Sequence, residues 1–302
     1  MSSCDEAGFC GIGRWAGTAE VFDGHGKFLG NASDQRHVRT VASDGRIKID
    51  LAFVGPLKFA GHYFISDHGQ HRTYEGPANY GFAEAVSSQL VDANGFWPLT
   101  GLSQQFFLMM LPDGSRQLSL SLMSRGERLY YAMVSENHLQ NKENDAIPGL
   151  VNGISADLVD DPSAGRGEIL LHRPGRWEGT LAFKDAKTGS VQENPYHEVI
   201  KKEGDFTEMT KGGGKFDLPS EPVLLKGDGY QFVTKDGGIL GTQSLYGGRA
   251  SAGTFHAHGL GLRVRQREVV ANDGEIKVIV QNWYKGHLMV GTQYGVLCFI
   301  PE

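Results

Sequence analysis

A six-residue string that occurs twice constrains the fold of this chain more than any other feature. Residues 13–18 read Gly-Arg-Trp-Ala-Gly-Thr and residues 175–180 read Gly-Arg-Trp-Glu-Gly-Thr, so five of the six positions match. The match includes a tryptophan, a residue type of which the chain has four. Self-similarity of this kind predicts that one structural unit is present twice.

The repeat continues along the chain at a nearly constant offset. The offset is 162 residues at the string and 160 at four later landmarks, which predicts a two-residue insertion in the first copy, between Trp15 and His37. The pairs at an offset of 160 are His37 and His197, Gly101 and Gly261, Asp113-Gly114 and Asp273-Gly274, and Gly126 and Gly286.

Length and composition restrict the class of protein. A chain of 302 residues can form two domains that each bury a core. Hydrophobic residues make up 40% and charged residues 21%, which is ordinary for a globular protein. The net charge of −6 argues against a nucleic-acid partner, which selects a basic face. No apolar stretch reaches the roughly 20 residues of a membrane-spanning helix, so no membrane span is expected.

The N-terminal sequence and the cysteines predict a reducing compartment. The first twenty residues lack the charged and apolar regions of a signal peptide. Three cysteines, an odd number, indicate free thiols in the cytoplasm rather than a disulfide framework. A metal or redox pair of Cys4 and Cys10 would lack further partners. No metal and no cofactor are expected for the chain.

Alternating polar and apolar runs around Asp-Gly turns predict β-structure. Residues 37–53 read as a hairpin around Asp44-Gly45, with a two-residue turn that places Val38 opposite Leu51. Eight to ten strands are expected in each copy, including one near residues 83–92, and no 3.6-residue amphipathic pattern is convincing. Short, regularly spaced strands are typical of a sandwich or a barrel, and closure into a barrel removes exposed edges. The predicted domains are 1–140 and 171–302, joined by a polar linker at 141–170 with a short helix near 147–158.

The Gly-x-Trp sequence at the head of each copy resembles the calycin superfamily, the lipocalins and their relatives. The resemblance implies an all-β protein of two tandem antiparallel lipocalin-like barrels related by internal duplication. It also implies that Trp15 and Trp177 plug one end of each barrel and that Gly13 and Gly175 allow close backbone approach. Without a signal peptide or disulfides, the chain looks more like the intracellular two-barrel members than the secreted ones.

The resemblance also implies a range of functions. Proteins of such folds hold small hydrophobic molecules, and several are isomerases, cyclases, hydratases or lyases. The first hypothesis is therefore a cofactor-independent enzyme of one of these types, acting on a small, largely apolar molecule that could carry an anionic group. The alternative is a carrier or sensor of a small hydrophobic or amphipathic ligand, including haem or a bilin. A third alternative is a protein whose barrels are filled by side chains.

Candidate catalytic residues cluster in the second copy. His256 and His258 lie two residues apart, so a strand would place both rings on one face as acid and base or leave both on a solvated surface. Arg263 and Arg265 alternate along the next strand, and the hairpin around Asp273-Gly274 pairs Arg263 with Tyr284 on the same face. If this face is the interior, the arginines would bind a carboxylate and Tyr284 would donate a proton; if not, they are surface arginines.

Candidate substrate-binding residues also occur in the first copy. His71 and Tyr74 lie in a strand–loop–strand region that would form a polar loop at a barrel mouth, or a mouth that contacts substrate with His71 as general base. Trp97 lies between two strands, where it would line a ligand mouth or pack as a lid. Residues 106–111 are apolar on both faces, which predicts that the two barrels pack there or that the chain forms a homodimer.

Overall fold

The computed structural model describes residues 11–140, 169–204, 206–215, 223–228, 231–234 and 238–301, and all statements below concern these ranges. Apart from two single-turn 3-10 segments, Leu170–His172 and His258–Leu260, the regular structure in them is β-strand, which confirms the predicted all-β class. Most of the predicted linker, its helix, and Cys4 and Cys10 lie outside the described residues. None of the described helices is long and apolar enough to cross a membrane.

The first ten strands form one closed antiparallel barrel in which each strand pairs with its neighbours in sequence and β1 pairs with β10. These strands are β1 Gly13–Asp23, β2 Phe28–Thr40, β3 Ile47–Val54, β4 Phe59–Asp67, β5 His71–Glu75, β6 Tyr80–Glu84, β7 Leu90–Trp97, β8 Leu102–Met110, β9 Arg116–Arg125 and β10 Arg128–Gln140.

The next ten strands form a second closed barrel with the same connectivity, in which β11 pairs with β20. They are β11 Gly175–Asp185, β12 Val191–Glu203, β13 Phe206–Gly213, β14 Val223–Asp228, β15 Gln231–Thr234, β16 Ile239–Tyr246, β17 Ala250–Ala257, β18 Leu262–Val270, β19 Ile276–Lys285 and β20 Leu288–Ile300. The chain divides into two compact units, residues 1–160 and 161–302, and each barrel belongs to one of them.

The duplication is confirmed, but the insertion lies elsewhere than predicted. Strand β10 matches β20 at an offset of 160, and β1 matches β11 at 162. Trp15 pairs with Arg36 across β1 and β2, and Trp177 pairs with Glu198 across β11 and β12, again an offset of 162. The first copy therefore gains its two residues after β2, so the match of His37 with His197 does not mark equivalent positions.

The hairpin predicted for residues 37–53 forms with a different register. Val38 pairs with Ile49 instead of Leu51. The reason is a longer loop, which Val41 closes by donating its N–H to Arg46 O at 2.7 Å. The register moves by two residues, so the apolar side chains stay on the predicted face.

The prediction of one strand near residues 83–92 is wrong. Residues 85–89 connect β6 to β7, and the hydroxyl of Ser87 accepts hydrogen bonds from the N–H groups of Gln89 (3.2 Å) and Leu90 (3.0 Å). A serine that bonds the following backbone in this way stabilises a turn, which the apolar residues around it conceal in the sequence.

The repeated string begins the first strand of each barrel. Trp15 and Trp177 are both buried. Gly13 and Gly175 have φ of +138° and +136°, and a Cβ there would lie 2.7 Å from Leu139 Cδ1 and from Phe299 Cζ respectively. The positive φ favours glycine at both positions, and the nearest atoms belong to side chains; a backbone atom approaches closely only at Gly175, where Ile300 O would lie 3.0 Å from a Cβ.

The interior of the second barrel holds one continuous apolar cluster and a polar network. The cluster includes Trp177, Leu181 and Trp283. Within the network, Glu198 on β12 forms ion pairs with Lys277 on β19 and with Lys211 on β13, the latter at 3.1 Å. Strands β12 and β19 are not neighbours, so the Glu198–Lys277 pair crosses the barrel.

Further hydrogen bonds extend this network across the second barrel. Lys211 Nζ donates to Gln266 Oε1 on β18 (2.9 Å), which also accepts from Gln281 Nε2 (2.8 Å). Gln266 Nε2 donates to Glu268 (2.5 Å), and Tyr196 donates to Glu198 (2.8 Å). Burial alone would raise the pKa of Glu198, but the two ammonium groups outweigh it and hold the pKa well below its ordinary value.

We expect Lys277→Met to destabilise the second barrel by about 3–5 kcal/mol, because it leaves the carboxylate of Glu198 buried beside a single ammonium group. The double variant Glu198→Gln/Lys277→Met should recover most of this loss. Urea unfolding measures both values. If the double variant were as unstable as the single one, the cost would come from packing rather than from an unpaired charge.

We expect the stability of the second unit to fall as the pH falls below about 6.5. Burial, with Lys277 adding to it, lowers the pKa of His172 to about 3, so the unfolded chain binds a proton at pH values where the folded protein does not. The slope from this residue approaches 1.4 kcal/mol per pH unit between those two values. At pH values below the ordinary pKa of a glutamate, the lowered pKa of Glu198 also makes the stability fall as the pH falls.

Urea unfolding of the wild type and of His172→Gln at several pH values between 7 and 5 tests this slope. The substitution should flatten the dependence in that interval, because Glu198 contributes only at lower pH. An unchanged slope in the variant would show that other groups cause the pH dependence.

Candidate functional site

Several inward positions of the first barrel carry small side chains. Gly81 pairs with Gly95 across β6 and β7, and Ser119 pairs with Ser135 across β9 and β10. At an offset of 160, Ser119 and Ser121 correspond to Ile279 and Gln281, and Met123 corresponds to Trp283. The closed barrel fixes the interior volume, so smaller side chains leave space.

A cavity of about 380 Å³ occupies this space. Its size falls in the range of pockets that hold small molecules, roughly 300–1,000 Å³. Most of the side chains around it are apolar or aromatic, and they come from nine of the ten strands and from the loops at one end. Those used below are Leu57, Tyr63, Tyr74, Asn79, Trp97 and Thr100, together with the polar residues Arg36, Gln104, Gln117, Ser119 and Ser121.

The cavity reaches the end of the barrel that is opposite Trp15. Leu57, Asn79 and Thr100 line it, and they lie on the β3–β4, β5–β6 and β7–β8 connections, which share one end of the barrel. Near the start of β1, Trp15 packs with Val38 and Met110 and fills the interior. The first barrel thus has one end occupied by side chains and one end at which the cavity meets the connecting loops.

One of the polar lining residues, Arg36, belongs to an ion pair. Arg36 donates from Nε and Nη2 to the two carboxylate oxygens of Asp34, at 2.9 and 2.5 Å. Asp34 is fully buried, and the side chain of Arg36 is 9% exposed. Arg36 Nη2 also lies 3.4 Å from Ser119 Oγ. The guanidinium is therefore fixed in the wall with its charge neutralised.

Two tyrosines present hydroxyl groups that stay protonated. Burial raises the pKa of Tyr74 to about 12, and it raises that of Tyr63 to about 12 against the opposing hydrogen bond with Asn79. The hydroxyl of Tyr74 is buried and has no hydrogen-bond partner among the described residues. Both groups can donate hydrogen bonds at neutral pH, but neither is a base there.

The predicted first-copy residues fall into two groups. Tyr74 and Trp97 line the cavity, so both are placed to touch a bound molecule. His71 lies next to the β4–β5 connection, at the same end of the barrel as Trp15. Tyr74 points into the cavity, so His71, three residues before it on the same strand, points outward. Its ring stacks on His68 and Phe82, with centroid distances of 4.9 and 5.5 Å. The expected position of His71 at the cavity mouth is wrong.

The predicted second-copy residues lie on the outside of their barrel. Arg263 pairs with Tyr284, as the hairpin arithmetic predicts, and its guanidinium stacks 4.2 Å above that ring. The intervening residue Val264 points into the core, so Arg263 and Arg265 point outward. The hypothesis that Arg263 and Arg265 face the interior is therefore wrong: the face of β18 that carries Val264 points into the barrel.

The two histidines share this outward orientation. His256 and His258 are exposed beside the buried Ala257, and their rings lie 6.3 Å apart. Only His256 belongs to β17, since His258 begins the 3-10 turn that follows it. Neither His256, His258 nor Tyr284 lines the interior in which an acid or base was expected.

Sequence reasoning missed the polar residues of the first-barrel cavity. Arg36, Gln117 and Ser119 belong to no recognisable motif. From the sequence alone, a serine in a strand is equally compatible with the interior and with the surface. One signal was present: Ser119 and Ser121 alternate with Leu118 and Leu120, and their second-copy counterparts are larger. A comparison of side-chain volume between the two copies would have drawn attention to them.

The fold and the cavity together define a protein of two ten-stranded β-barrels, of which the first has room for a small molecule. The sequence matches no known family and no curated protein. The structure is similar to the crystal structure of a protein of unknown function from the DUF3598 family of Nostoc punctiforme. The TM-score is 0.61 at 12% identity, over 99% of this chain and 100% of the other. This likeness supports the two-barrel architecture and says nothing about activity.

Two more distant structures also align. Transferrin binding protein B from Neisseria meningitidis aligns over 95% of this chain and 76% of its own, with 8% identity and a TM-score of 0.27. Kievitone hydratase from Nectria haematococca aligns over 100% and 93%, with 9% identity and a TM-score of 0.19. With TM-scores this low, neither likeness bears on fold or function.

We expect Tyr74→Phe to leave the free energy of unfolding unchanged or to raise it by up to about 1 kcal/mol, because the lost hydroxyl is buried without a partner. The matched variant Tyr196→Phe should cost about 1.5–3 kcal/mol, since it removes a hydrogen bond to a charged carboxylate. Urea unfolding of both variants measures the difference. A large loss in Tyr74→Phe would show that its hydroxyl is satisfied in the folded protein.

Proposed function

We propose that the first barrel binds a small, largely apolar molecule and that the second barrel is a filled structural partner domain. The cavity of about 380 Å³ in the first barrel carries this proposal. Burial of an apolar ligand surface against such a wall is favourable at about 25 cal/mol per Å². For the first barrel, this is the carrier or sensor alternative. For the second barrel, it is the third alternative, in which side chains fill the interior.

The chemistry of the wall favours binding over acid–base catalysis. Among the described residues that line the cavity there is no histidine, aspartate, glutamate or cysteine. The tyrosines Tyr63 and Tyr74, with pKa values of about 12, are hydrogen-bond donors rather than proton acceptors near neutral pH. An isomerase, cyclase, lyase or hydratase activity stays a prediction that no observation on this cavity favours.

Two of the predicted substrate-binding residues keep that role in the proposal. Trp97 and Tyr74 present aromatic surface to the cavity, and Trp97 is close to its open end. The buried tryptophan at the head of each barrel and the closed antiparallel topology support a lipocalin-like relationship, which we include in the proposal. Fold alone does not fix the ligand, so the wall residues must do so.

We expect Gly95→Leu to weaken the binding of an environment-sensitive apolar fluorophore by about tenfold or more, equivalent to at least 1.4 kcal/mol. A Cβ at this position would lie 3.4 Å from Gln104 Oε1 and 3.5 Å from Trp97 Cζ3, so the side chain fits the backbone and extends into the cavity. Fluorescence titration of the purified protein measures the affinity.

Gly259→Leu is the matched control, because a Cβ there meets nothing within 4 Å and the residue lies on the exposed turn of the second barrel. It should bind the fluorophore like the wild type. Equal affinity of all three proteins would contradict binding in the first barrel. An absorbance spectrum of the purified protein separately tests for a haem or bilin.

A further inference from the structure

Two buried acceptors of the first barrel lack donors among the described residues, and one of them, in Gln117, belongs to the cavity wall. Gln117 Oε1 and Asn137 Oδ1 are buried, and neither has a hydrogen-bond partner within the described chain. The two residues pair directly across β9 and β10, and they are 2% and 0% exposed. A buried acceptor without a donor is costly, so a molecule that brings a donor to Gln117, which lines the cavity, relieves that cost.

A donor lies on the same side of the barrel interior as Gln117, next to Ser119. Arg36 uses Nε and Nη2 for Asp34 and Ser119, whereas its Nη1 makes no hydrogen bond to the described residues. Ser119 lies two residues from Gln117 on the same face of β9, so the guanidinium and the amide belong to one patch of the wall. This patch therefore offers one donor and one acceptor to a ligand.

The charge of the patch around Arg36 selects against an anion at that point of the wall, and the other cation of the lining, Lys58, is exposed on the β3–β4 connection at the open end. The carboxylate of Asp34, which is fully buried, already neutralises Arg36. A ligand carboxylate would bring a second negative charge to one guanidinium in an apolar cavity, which is unfavourable. A carboxylate is also an acceptor without a donor, so it cannot bond to Gln117 Oε1. A hydroxyl group carries both a donor and acceptor lone pairs.

We infer that the first barrel selects an uncharged molecule with an apolar body and a hydroxyl group, an alcohol rather than an acid. The hydroxyl donates to Gln117 Oε1 and accepts from Arg36 Nη1, while the apolar body contacts the aromatic wall. The inference rests on the proposed binding function and narrows its ligand class. It also replaces the expectation of an anionic ligand, which depended on arginines that lie outside the second barrel.

Three ligands of equal chain length test the inference: a long-chain primary alcohol, its methyl ether and the corresponding carboxylic acid. Each competes with the apolar fluorophore for the wild-type protein at neutral pH. The alcohol should bind about five- to tenfold more tightly than the ether, which lacks the donor, and more tightly than the ionised acid. The ether preserves the chain and the acceptor oxygen, so it isolates the contribution of the donor.

Gln117→Met then tests the residue, because methionine has a similar volume but no strong acceptor. The variant should bind alcohol and ether equally, with the affinity for the ether within about twofold of wild type. Gln105→Met, the same substitution on the outward, exposed face of β8, should keep the preference for the alcohol. Circular dichroism spectra confirm that both variants fold.

The outcomes separate this inference from the proposed function. If the wild type binds the acid more tightly than the alcohol, or binds alcohol and ether equally, the hydroxyl inference is wrong and the binding function stands. If the wild type binds neither the fluorophore nor any of the three ligands, the binding function itself is wrong. The order of the three affinities in the wild type decides the ligand class even if Gln117→Met does not fold.

Discussion

Closure of ten antiparallel strands into a barrel is the constraint on which the rest of this structure depends. Closure pairs every strand on both sides and sends alternate side chains into one interior of limited volume. The sum of the inward side-chain volumes then decides whether a barrel is filled or hollow. The same closure occurs twice in this chain, so the two barrels differ in their contents rather than in their topology.

The contents of the two interiors differ in kind. The second barrel is spanned by the Glu198–Lys277 ion pair and by a large apolar cluster around Trp177. In the first barrel, small residues such as Gly95 and Ser119 leave a cavity, at some cost in core packing. The two copies of one scaffold thus differ in what their interiors hold.

The choice of face explains why the predicted site was only partly right. The pairing of Arg263 with Tyr284 follows from the turn and was predicted, but alternation alone does not say which face of a strand turns inward. Strand β18 has buried residues on both faces at Val269 and Val270, so polarity gave no decision. Tyr74 and Trp97 line the cavity, although Tyr74 was predicted together with His71, which lies at the other end of the barrel.

The sequence by itself determined the all-β class, the duplication and the positions of the main turns, since these depend on local spacing and on glycine and aspartate at fixed places. The tertiary structure alone decided which side chains share an interior. Arg36 and Asp34 on β2 share the interior of the first barrel with Gln117 on β9 only because the sheet closes on itself. Such contacts depend on barrel closure and register, and no local pattern in the sequence records them.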